Sequence, residues 1–216
     1  MNQDQIKQLN EAVEAVKTRK IENVYFVACG GSKAIFDPAQ FIFDRETTLP
    51  SFVFNANEFI HRCPKGLGEN SLVVTCSHSG NTLETTRATQ LAGDKGALTI
   101  SFSYRVDSPL WKATQHPISY VWGPESDPGD NNNGMLYRLV FSILNVLQPN
   151  EKYEGAIKAC DNLGKVYEAN KAKFAESAKA FGKKYKNNKL IYTMSSGPCY
   201  GVAYSFAICL LQEMQW

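Results

Sequence analysis

The sequence predicts an α/β fold built on a parallel sheet, and three observations predict it. Short runs of β-branched and aromatic residues alternate with longer segments of helical period along most of the 216 residues. Two of the strand-to-helix turns, Cys29-Gly30-Gly31-Ser32 and Ser77-His78-Ser79-Gly80-Asn81-Thr82, are built from small and hydroxylated residues, the chemistry expected at the carboxyl ends of parallel strands. A composition of 44% hydrophobic and 20% charged residues is enough to bury one full core and excludes disorder as the main state.

The elements follow in order. Met1 to about Lys20 reads as an amphipathic helix, and Val24 to Ala28 as a strand. Cys29 to Ser32 breaks the strand, and a helix runs from about Lys33 to Asp44. Ser51 to Phe54 is a short strand, after which Asn55 can cap a helix reaching His61. Ser71 to Cys76 is an apolar strand, Ser77 to Asn81 a polar turn, and Thr82 to Gly93 a helix. Ala97 to Phe102 and Ile118 to Trp122 are two more strands, with Asp107-Ser108-Pro109 opening a brief helix between them. Gly123 to Asn133 is the one long loop. Asn133 to about Leu147 is an apolar helix, and Glu151 to about Lys186 is one or two lysine-rich helices with a solvated face. Leu190 to Met194 reads as a further strand, Ser195 to Pro198 as a second small-residue turn, and Tyr200 to the last residue as an apolar helix. One strand with one helix cannot bury its own faces, so residues from about 189 onward begin a unit that needs a partner surface.

Charge and composition narrow the function. There are 23 lysines and arginines against 21 acidic residues, a net charge of +2, and no basic block stands out, which argues against a nucleic-acid partner held by bulk charge. The apolar stretches Leu139 to Leu147 and Val202 to Leu211 fall short of the ~18 residues a bilayer span needs. The first residues lack the apolar core of a secretory signal, so the expected setting is soluble and cytoplasmic. Six cysteines without a CxxC pair suit reduced, buried thiols. Three isolated histidines, His61, His78 and His116, offer no metal-ligand spacing, and no metal is expected.

The two turns carry the chemistry. Glycine lets backbone approach an anion, and the first N–H groups of a helix, aided by its dipole, favour negative charge. Gly31 and Ser32 in the first turn, taken alone, read more readily as a plain helix start than as an anion site. The second turn, with Ser77, Ser79 and Thr82 beside Asn81, has more hydroxyls than one cap can use and reads as a phosphate cradle. Neither turn matches GxGxxG or GxxxxGK[ST], so nucleotide binding loses support. His78 is either a ligand contact or an incidental surface residue. Glu213 follows an apolar run, Phe206 to Leu211, so it is either a carboxylate in apolar surroundings, its pKa raised toward the range for proton abstraction, or part of a hydrated terminal turn.

The segments FVACGGSKAIF, CSHSGNTLET and LLQEMQW, together with YGVAYS, resemble the sugar isomerase (SIS) superfamily and, within it, the fructosamine deglycase branch. The resemblance covers nearly the whole chain. It implies a three-layer αβα fold with a first SIS domain over residues 1–150, a helical connector over 151–188 and the start of a second SIS domain over 189–216. It implies that Ser77, Ser79 and Thr82, assisted by Gly31 and Ser32, hold the phosphate of a phosphorylated sugar-amine, and that Glu213 is the acid/base. His78 stands where a related synthase has glutamine, which weakens its claim to a direct phosphate contact. No cofactor is implied, and a homodimer is. Family members continue into a histidine-bearing segment that would lie beyond Trp216. The alternatives are a sugar-phosphate or amino-sugar-phosphate isomerase and a non-catalytic sugar-phosphate-binding module.

Overall fold

Five strands, β1 (Asn23–Ala28), β2 (Ser51–Asn55), β3 (Ser71–Cys76), β4 (Leu98–Ser103) and β5 (His116–Ser119), pair in the order β2-β1-β3-β4-β5. The computed structural model describes residues 1–124 and 126–214, and every pairing in this sheet is parallel. Helices α1 (Gln3–Lys17), α2 (Gly30–Ala34), α3 (Phe36–Glu46), α4 (Ala56–Arg62), α5 (Leu83–Asp94), α6 (Pro109–Ala113), α7 (Asn132–Leu147), α8 (Glu151–Ala159), α9 (Leu163–Tyr185) and α10 (Tyr200–Ser205) complete the chain.

Period-two alternation along the central strands builds three layers. Val24, Phe26 and Ala28 of β1 with Leu72, Val74 and Cys76 of β3 face a core shared with α1, α3 and α7. Tyr25, Val27 and Val73 face the other way, onto Phe59 of α4 and Ala88 and Ala92 of α5. Both faces are covered, which is why β3 and β4 are buried at every position. The three-layer fold expected from the sequence is the one observed.

Local chemistry accounts for the boundaries. Asn2 and Gln5 form a reciprocal capping box that starts α1, and Asn55 and Ser108 cap α4 and α6 through their side chains. The helix expected over Lys33 to Asp44 begins earlier and is split in two. Pro38 has no N–H for the carbonyl of Ala34 and its ring crowds that carbonyl, so the backbone turns at Ile35. The strand expected over Ile118 to Trp122 lies at His116–Ser119, because Ser119 is opposite the last residue of β4 and the ladder ends there. Pro117 is tolerated on this edge strand.

Three further expectations are corrected. Leu190 to Met194 is not a strand: no described strand runs beside it to satisfy a ladder, and Tyr192 and Met194 are exposed. The apolar helix from Tyr200 is α only as far as Ser205, and Phe206–Gln212 winds as π-helix. That segment is not buried, since α10 and its continuation pack on α2 and α3 along one side only. Of the six cysteines, Cys76 and Cys160 are buried and Cys199 is exposed, so the buried-thiol expectation holds for two of them. The long loop contains a short 3₁₀ turn at Pro128–Asp130, where Asp127 accepts from the Gly129 amide. Helix α9 has no buried residue, in keeping with its lysine content.

Candidate functional site

The strand order reverses at β1, so the carboxyl ends of β1 and β3 lie side by side, with Ala28 opposite Cys76. This is the crevice where open α/β sheets take ligands. Both small-residue turns leave the sheet here. The Thr85 hydroxyl of α5 reaches the Cys29 thiol at 3.9 Å, linking the first turn to the helix that follows the second. Full burial pushes the Cys76 thiol's pKa up to about 12, with Ser32 offsetting part of the rise.

The second turn is internally braced. Ser77, 2% exposed, has its hydroxyl 2.9 Å from that of Thr82 and accepts from the Gly80 amide at 3.1 Å. Ser79 accepts from the Asn81 amide at 3.2 Å, while its own hydroxyl proton stays on an exposed residue. Gly80 has φ +66°, its carbonyl accepts from the Leu110 amide at 3.0 Å, and a Cβ there would fall 2.0 Å from the Ser108 hydroxyl. Thr82 occupies the N-cap position of α5, yet its side chain caps no helical N–H. The hydroxyls therefore organise the turn itself and leave the start of α5 uncapped by the residue that precedes it.

His78 forms a wall of this turn. Its Nδ1 is 3.0 Å from the Tyr120 hydroxyl, its ring lies parallel to that of Tyr104 at 5.2 Å, and Trp122 meets it edge-on at 5.2 Å. Burial, and then the positive charge of Arg105, hold its pKa below the ordinary imidazole value. Tyr104, Arg105, Tyr120 and Trp122 escaped the sequence reading. The usable signal was position: all four follow β4 or β5 at the carboxyl edge of the sheet.

Gly31 and Ser32 lie in α2, whose N-cap Cys29 makes no side-chain cap. A Cβ on Gly31 would stand 3.1 Å from the Cys209 sulfur, so the last helical segment passes directly against the first turn. Glu213, four residues beyond Cys209, ends the π-helical segment, with its amide donating to Ile208 O at 3.0 Å. The carboxylate is exposed rather than enclosed by apolar groups. Ser77, Ser79, Asn81, Thr82 and His78 are thus brought together beside Gly31 and Ser32. Glu213 lies four residues past Cys209, which touches Gly31, and among the described residues no hydrogen bond joins its side chain to the turns. Among the described residues no cluster of His, Cys, Asp or Glu is arranged to hold a metal ion, and no helix is long and apolar enough to cross a membrane.

A groove of about 890 Å³ lies away from the turns, between the end of α9 and Phe206 to Gln212. It is lined mainly by apolar groups such as Phe181, Tyr185, Ile191 and Leu210.

The chain is 47% identical over 97% of its length to fructosamine deglycase FrlB of Bacillus subtilis (strain 168), and 28% identical over 94% to fructoselysine 6-phosphate deglycase of Escherichia coli (strain K12). It spans 64% and 59% of those two proteins. A crystal structure of a candidate phosphosugar isomerase from Bacillus subtilis superposes with a TM-score of 0.94 at 47% identity, covering 97% of this chain and 64% of that one. The SIS domain profile matches residues 17–147, a stretch that contains all five strands and both turns. The chain belongs to the SIS domain family.

Proposed function

We propose that this chain carries the phosphate-binding cradle and the acid/base of a deglycase acting on phosphorylated fructosamines of the fructoselysine 6-phosphate type. The observation that carries the reading is the Ser77–Thr82 turn, whose hydroxyls bond one another instead of capping α5. The uncapped helix start at a strand-order reversal suits a phosphate. The similarity to two deglycases supports the rest of the substrate.

In this reading the phosphate of a fructose 6-phosphate bearing an amine on C1 sits on Ser77, Ser79, Asn81, Thr82 and the Gly31-Ser32 turn, with His78 at the rim. Phosphate binding far from C1 supplies orientation at the reacting carbon. Glu213 takes a proton from C1 to give an enaminol and returns it to C2, leaving an imine at C1. Water adds to that imine and expels the amine, giving glucose 6-phosphate. The π-helical turn before Glu213 sets the side chain's approach. The net reaction is a hydrolysis, in a cytoplasmic enzyme. We propose a homodimer, supported by the exposed apolar residues Val166, Tyr167, Phe174 and Phe181 along α9.

The test follows glucose 6-phosphate released from fructoselysine 6-phosphate with a coupled dehydrogenase. It is run on this chain and on a form lengthened to the span of its relatives. Glu213→Gln is expected to lower kcat at least about 100-fold, the contribution of a positioned acid/base. Equal rates for wild type and Glu213→Gln in the longer form would overturn the role of Glu213. Interconversion of sugar phosphates without amine release would point to an isomerase.

A further inference from the structure

Tyr120 follows the last paired residue of β5 and is 3% exposed, yet its hydroxyl ends at the candidate site, 3.0 Å from Nδ1 of His78. Among the described residues that nitrogen is the hydrogen-bond partner of the phenol. Burial keeps the phenol protonated, raising its pKa far above the usual tyrosine value, with a smaller push from Cys76. A buried O–H that finds no acceptor forfeits its solvation without return.

This decides between the two neutral forms of the imidazole. If Nδ1 carried the proton it would donate to the phenol oxygen, and the phenol proton would be left without an acceptor. If Nδ1 is bare the phenol donates to it, the buried phenol proton is paired, and the ring proton must sit on Nε2. The ring is also held against rotation, stacked parallel on Tyr104 and edge-on to Trp122. The charges that face it, on Arg105 of the β4–α6 loop, and its partial burial both favour the neutral ring.

We propose that Tyr120 is a positioning residue: it fixes His78 as the Nε2–H tautomer, so that the turn presents a neutral N–H donor to an oxygen of the phosphosugar seated on Ser77 to Thr82. The ligand half of this statement rests on the deglycase reading. The tautomer half does not.

The test uses the full chain with ¹⁵N-labelled histidine, the His78 signals being those lost in His78→Gln. Long-range ¹H–¹⁵N correlation at pH 7.5 is expected to show Nε2–H in the free wild type and a mixture of tautomers in Tyr120→Phe, which keeps the ring and its packing. Fructose 6-phosphate is the binding probe. Tyr120→Phe and His78→Ala are each expected to weaken it roughly threefold to tenfold, the scale of one hydrogen bond, and the double variant no more than His78→Ala alone. An Nδ1–H signal in the wild type, an unchanged tautomer in Tyr120→Phe, or additive losses in the double variant would overturn the proposal. A wild type that does not bind fructose 6-phosphate would count against the deglycase reading, and the tautomer measured without ligand would still decide the role of Tyr120.

Discussion

Gly80 is held by two separate constraints, and they can be told apart. Its φ of +66° lies in the left-handed region, which costs an L-residue about 1–2 kcal/mol. A Cβ would also stand 2.0 Å from the Ser108 hydroxyl and 2.8 Å from that of Ser103, so the turn or the start of α6 must move. Gly80→Ala should therefore lower Tm by several degrees, at about 2–4 °C per kcal/mol for a chain of this size, and weaken phosphosugar binding further than the stability loss explains. Adding Ser108→Gly removes the shortest contact and leaves the backbone strain and the approach to Ser103. Calorimetry of the pair should show partial recovery. Full recovery would mean that the φ constraint contributes nothing.

The last helical segment is seated by a break in another helix. Pro38 leaves the Ala34 carbonyl without its helical donor, and Gly201 of α10 comes so close that a Cβ would lie 2.4 Å from that oxygen and 2.9 Å from the proline ring. Helix propensity alone would favour alanine at position 201 by about 1 kcal/mol. The collision is with backbone and a rigid ring, neither of which can yield, so the seat wins and Gly201→Ala should lift α10 away. Hydrogen exchange over 200–212 should speed at least about tenfold, while β1 and β3 are unchanged. Unchanged exchange over 200–212 would show that this contact does not hold α10. The same residues show what was legible in the sequence. β1 and β3 could be read because both faces of a central parallel strand are apolar, and Ser77 and Thr82 because their hydroxyls exceed the needs of one cap. The split at Ile35 was hidden, since it needs Pro38 to be read against a carbonyl four residues earlier. Leu190 to Met194 has strand composition, but a strand exists only with a neighbour, and composition does not name one. Tyr120 was invisible because its role depends on a residue 42 positions away in sequence.

Two histidines whose pKa is lowered in the folded chain, His78 and His116, set how the whole fold answers to acid. Burial is the larger cause of the lowered pKa of both His78 and His116; Arg105 adds to it at His78, while at His116 Glu11 opposes it more than Arg19 adds. Both rings ordinarily titrate at 6.5, the value they take when the chain unfolds. Above that pH neither state holds the extra proton and the two groups leave stability unchanged. As pH falls through 6.5 the unfolded chain takes up protons first, so it binds more of them than the folded chain, and stability falls with falling pH. The carboxylates of Glu22 and Glu46, lowered chiefly by hydrogen bonds from Lys20 and Lys152, begin to lose their contribution only below 4.5. Between those two values the histidines therefore lead. Thermal unfolding followed from pH 8 to pH 5 should be level at the alkaline end and should decline below 6.5. His116→Gln, on the edge strand away from the turns, should reduce that decline without removing it, because His78 remains. A profile level down to pH 5 would show that neither ring is shielded from water as its surroundings require.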